Sequence, residues 1–164
     1  MSHRHPAGGP PLTEVQAFIE RLAGRPCKTV TELRGPPLRT APQFWAIYGP
    51  SPRQVDAVVS LEAELAIGLS AALSLLPRAA PAVQQALQKD IWDEILSENL
   101  GEVFNILAHL VRLTGLEGCG LQSHGRILPE HLRLPSGQPH RLTYRVEIPG
   151  FTAGTLSLWR ILSP

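Results

Sequence analysis

Apolar residues first fall into register at Leu12, Val15, Phe18, Ile19 and Leu22. That spacing predicts an amphipathic helix over 12–22, which Gly24 and Pro26 bring to an end. Thr29, Val30 and Thr31 predict a short strand within 27–33, and the clusters Gly35-Pro36-Pro37 and Thr40-Ala41-Pro42 mark a loop. A second strand is expected over 43–48, where Phe44, Trp45, Ile47 and Tyr48 are aromatic or β-branched, closed by Gly49-Pro50-Ser51-Pro52. Beyond it Val55, Ala57, Val59 and Leu61 alternate with Asp56 and Ser60, the pattern of a half-buried strand. The period changes near Glu62, after which Leu65, Leu69, Ala72, Leu73 and Leu76 share one helical face up to Pro77.

Residues 81–87 read as a short helix or connector. A longer helix is expected from about Asp90 to Leu113, burying Trp92, Leu96, Leu100, Val103, Leu107 and Leu110, with Gly115 beyond its end. The last third is strand-like. Gly118-Cys119-Gly120 leads into 121–128, followed by a loop through Pro129, Pro135, Gly137 and Pro139. Leu142, Tyr144, Val146 and Ile148 alternate with Thr143, Arg145 and Glu147, and residues 149–154 form a turn into a final strand over 155–162. The expected class is α+β: an antiparallel β-sheet packed against about three principal helices. A flexible tail is expected over 1–11 and one domain over 12–164.

Composition narrows the functional classes. A chain of 164 residues with 43% hydrophobic content can bury a core without disulfides or metals. The net charge is +1 and the arginines are scattered, which argues against nucleic acid or an anionic membrane as partner. Cys27 and Cys119 form no C-x-x-C pair and are expected to be reduced thiols, although sequence leaves a disulfide between them open. The N-terminal residues lack the apolar core of a signal peptide, and the longest uncharged apolar run, 65–76, is too short for a bilayer. A cytoplasmic location is expected.

The outward stripe of the long helix carries the candidate chemistry. It reads Glu94, Glu98, Glu102, Asn105, His109, Arg112, in steps of three or four. Such a stripe is first of all a solvated face. Yet Glu94, Glu98 and Glu102 are like charges one turn apart, each pair destabilising by about 0.2–0.5 kcal/mol. A face that tolerates this repulsion suits a partner that brings positive charge.

Glu98-x-x-x-Glu102-x-x-Asn105 resembles the active helix of the CheC/CheX/FliY family of chemotaxis phosphatases, where an acidic or hydroxyl residue precedes Glu-x-x-Asn. The order of helices and strands is also similar, and Pro129 falls close to where the family motif has a proline. The resemblance implies a CheC/CheX-like fold that engages the receiver domain of a phosphorylated response regulator. On that basis Glu102 is the residue that docks a partner lysine and Asn105 orients the water attacking the phospho-aspartate. An amide suits that task, since it can donate to and accept from one water, and positioning carries much of phosphoryl-transfer catalysis. Glu98 is the accessory residue, and with His109 it is expected to bind the partner. The chain departs from the family pattern in three ways: Glu98 stands where Asp or Ser is usual, Asn105 is followed by Ile106-Leu107-Ala108-His109 rather than a small, Gly-containing run, and no second Glu-x-x-Asn supports a two-site arrangement.

Other readings stay beside this one. A non-catalytic interaction module, or a homodimer that continues the sheet through the last strands, fits the same layout. A metal enzyme using Glu102 and His109 is the weakest: Asn is a poor ligand for transition metals, and no Glu-x-x-His accompanies them. His124, His131 and His140 lack metal-ligand spacing and read as ordinary loop histidines. Ser123-His124 has no G-x-S-x-G, and Gly115, Gly118 and Gly120 have no Gly-Lys-Ser/Thr after them, so neither a nucleophile elbow nor a P-loop is present. No cofactor or metal is expected.

Overall fold

A computed structural model describes residues 9–32, 43–134 and 141–161. Most of the expected tail (1–8), the loops containing Gly35 and Pro139, and residues 162–164, the first of which ends the expected final strand, lie outside them. Gly9 is described, and its backbone packs closely against the Leu142 side chain of a later strand.

Helix α1 spans Leu12–Ala23 and buries Val15, Phe18, Ile19 and Leu22 of the stripe its spacing predicts, while Leu12 in its first turn is exposed. Gly24, at φ 68°, ends it in the left-handed conformation. Strands β1 (Lys28–Glu32), β2 (Gln43–Gly49) and β3 (Ala57–Glu62) follow, and β3 runs straight into α2 (Ala63–Leu73). Then come α3 (Pro81–Lys89), α4 (Glu94–Leu113), β4 (Gly120–Gly125), β5 (Arg141–Glu147) and β6 (Ala153–Arg160). The strands form one antiparallel sheet in the order β1-β5-β6-β3-β2-β4. The α+β class stands, with four helices among the described residues.

Several details differ from the sequence reading, each for a physical reason. β3 begins at Ala57, and Ala57 through Leu61 are all buried rather than alternating. It lies in the interior of the sheet between β2 and β6, and residues at both its alternating positions are closed in. Helix α2 is buried almost all round, from Leu65 through Ala71, because α1, α3, α4 and β6 all pack against it. Its close approach to the β5–β6 turn requires Gly68, where a Cβ would collide with Thr152 Oγ1. It ends before Pro77, at Ser74, and Leu75 turns out at φ 54°.

Residues 81–89 form a true helix, and α4 starts at Glu94 instead of Asp90. Asp90 adopts φ 56° as the cap of α3, and the Asp93 carboxylate accepts from Leu96 N at 2.8 Å as the cap of α4. Trp92 therefore precedes the helix and is half-buried, edge-on to Phe44 at 4.9 Å. β4 stops at Gly125, since Arg126 turns aside to Asp90. The last strands, β5 and β6, both lie inside the sheet, so no partner can be added through them. Among the described residues the outermost strands are β1 and β4.

Candidate functional site

Helix α4 positions the candidate residues, and three hydrogen bonds from two side chains fix it against the rest of the fold. The Tyr48 hydroxyl, fully buried on β2, donates to the Phe104 carbonyl at 2.6 Å. Burial pushes this phenol far above its ordinary range, so it stays a neutral donor. On the flank toward α2, the Asn99 amide donates to the Ser70 carbonyl at 2.8 Å and to Ser74 Oγ at 2.7 Å. Below these, Leu96, Leu100, Val103, Phe104, Leu107 and Leu110 are buried.

At the N-terminal approach to α4, Asp90 and Arg126 pair through two bonds of 2.7 and 2.6 Å. The Arg126 guanidinium lies 4.7 Å over the Phe44 ring, and its bond to Asp90 holds that carboxyl below the usual carboxylate range. Asp90 and Arg126 thus neutralise each other at this end.

The outward face is different. Glu94, Glu98, Glu102, Asn105, His109 and Arg112 are all exposed, as the periodicity predicts. Arg112 turns back to the Cys119 carbonyl at 3.3 Å. Glu98, Glu102 and Asn105 have no hydrogen-bond or ion-pair partner in the described structure. His109 stacks on Phe18 of α1 at 5.6 Å and edges a groove of about 440 Å³ lined by Phe18, Arg21, Leu22, Leu73 and Ile106. Ile95, next to Glu94, is about half exposed at 53% and gives the face apolar contact area.

One neighbour was not legible as part of this face. His124 lies on β4, not in a loop, and its ring sits on α4 5.7 Å from Phe104. The sequence signal was available in Gly101, an otherwise costly glycine in mid-helix. Among the described residues no three His, Cys, Asp or Glu side chains gather as a metal cage, so Glu102 and His109 lack a third ligand. Cys27 and Cys119 are both free and buried, and burial with the nearby Asp56 carboxylate pushes the Cys119 thiol up to about 11. No helix of the described residues is long and apolar enough to cross a membrane.

Compared by sequence, the chain matches no protein-family model and no curated protein. Compared by structure, it is similar to the FliM middle domain from H. pylori, with TM-score 0.54, 9% identity, and coverage of 91% of this chain and 84% of that one. CheX from Vibrio vulnificus superposes with TM-score 0.54 at 10% identity, covering 90% of this chain and 94% of the other. A chain of the CheX–CheY complex from Borrelia burgdorferi aligns at TM-score 0.50 and 11% identity, over 88% and 96% of the two chains. At this identity the likeness speaks for the fold. The chain has the fold of the CheC/CheX/FliY family, which is also that of the FliM middle domain.

Proposed function

We propose that the outer face of α4 docks the receiver domain of a response regulator and that Asn105 promotes hydrolysis of its phospho-aspartate. The observation that carries this reading is an exposed, unbonded amide at Asn105 on a helix pinned from behind, flanked by the free carboxylates of Glu98 and Glu102. Glu102, with Glu98 and His109 beside it, meets a cationic side chain of the partner, and Ile95 adds apolar contact. The Asn105 amide orients water in line with phosphorus. The water oxygen bonds to phosphorus as the aspartyl P–O bond breaks. The electron pair leaves on the aspartyl carboxylate, and the water protons pass to the released phosphate and to solvent. A receiver-domain partner also implies a cytoplasmic location. The B. burgdorferi structure, in which a CheX is held with CheY, supports the choice of partner.

The test is the decay of receiver domains phosphorylated by acetyl phosphate, alone, with the wild-type protein and with Asn105→Ala. Acceleration by the wild type that disappears in the variant is expected. Equal decay in all three samples overturns the catalytic reading.

A second reading keeps the docking and drops the chemistry. The departure after Asn105, Ile106-Leu107-Ala108-His109, and the likeness to FliM middle domains favour a binding module of the same fold. In that case the wild type and Asn105→Ala bind a receiver or a second copy equally well and neither accelerates decay.

A further inference from the structure

Gly101 is the single glycine in the interior of α4, and a glycine there costs about 1 kcal/mol relative to alanine. What occupies the space is His124. A Cβ at position 101 would lie 3.2 Å from His124 Nε2 and 3.8 Å from Cε1. The ring is set by its contact with Phe104 and by the pairing of β4 with β2, where His124 stands opposite Ala46. It remains exposed to solvent. Glu98 and Asn105 flank Gly101 at i−3 and i+4, so their Cβ atoms lie about 5–6 Å from the same point. An imidazole edge thus borders the amide and carboxylate of the outer face, brought there from another element.

From this juxtaposition we infer that His124 is a third member of the site, donating a hydrogen bond from its imidazole to the phosphoryl oxygens of the docked phospho-aspartate. The inference rests on the receiver-phosphatase reading above. It gives the site a donor to oxygens that gather charge as the P–O bond breaks, which neither carboxylate can supply. No proton is transferred, so the balance of the hydrolysis is unchanged. Glu98, one turn before Gly101, is the charged residue that the helix spacing brings to this edge, while β2 presents the uncharged Ala46. Gly101 is then required as the gap that lets the ring reach the face.

The experiment compares phosphorylated-receiver decay for the wild type, Asn105→Ala, His124→Ala, His124→Gln and Gly101→Ala between about pH 5 and 8, where histidines change charge. His124→Ala is expected to lower the maximal rate about 100-fold with receiver affinity little changed. His124→Gln, which keeps an N–H donor, is expected to recover part of that loss and to flatten the pH profile. Gly101→Ala is expected to melt at higher temperature yet hydrolyse more slowly, because the new methyl displaces the ring. Loss in Asn105→Ala together with an unchanged rate and profile in both His124 variants overturns the inference and leaves the phosphatase reading standing. No acceleration by the wild type removes both.

Discussion

Helix α4 carries two asparagines six residues apart, and they live in different worlds. Asn99 is half-buried and gives both hydrogens of its amide to α2, at 2.8 and 2.7 Å. Asn105 is exposed and bonded to nothing described. The same contrast holds for the charged groups around the helix. Ahead of its start Asp90 and Arg126 neutralise each other, whereas Glu98 and Glu102 on the outer face are left without cations. Asn99, Asp90 and Arg126 find their partners within the fold. The polar groups left over are the ones available to a partner.

Variants can break this contrast from either side. The largest effect is expected beneath it: Phe104→Ala removes a fully buried ring and should cost about 3–5 kcal/mol in chemical denaturation. Asn105→Ala should leave the melting temperature unchanged and lower receiver dephosphorylation about 100-fold, or about 2.7 kcal/mol of barrier. Unfolding by Asn105→Ala would mean that this amide is structural after all. Asn99→Ala should do the reverse, costing about 1–2 kcal/mol of stability while receiver affinity per folded molecule is kept. Glu102→Gln should change stability by less than about 0.5 kcal/mol and weaken receiver binding, an effect that shrinks in high salt.

The smallest effect concerns Asp90. Its folded pKa is depressed, so the stability it contributes is present above the ordinary carboxylate value of about 4 and is lost as pH falls through the lower folded value. The pair is half exposed, so the loss should stay under about 1 kcal/mol and be absent in Asp90→Asn.

The outer face of α4 was legible in the sequence because its 3.6-residue period separates Glu98, Glu102 and Asn105 cleanly from Leu100, Val103 and Leu107. The same rule served α1. It failed for α2, where a nearly continuous apolar segment carries little phase, and for β3, whose polar Ser60 is buried between β2 and β6, the latter far away in sequence. Strand order was out of reach for a related reason, since β6 joins β3 across more than ninety residues. The partnership of His124 with Gly101 needs both the β4–β2 pairing and the seating of α4 on the sheet. Neither is encoded locally, although a lone glycine in a strong helix was a clue to a close neighbour.

The strand that comes last in the chain, β6, stands in the middle of the sheet, with β5 on one side and β3 on the other. During synthesis the sheet cannot run from the β1 and β5 half to the β3, β2 and β4 half until residues 153–160 have left the ribosome. Before that moment β3 exposes a long apolar edge, a hazard for aggregation in a nascent chain. A stop codon or proteolytic cut ahead of β6 would sever the sheet at its centre, so the protein should accumulate either whole or hardly at all.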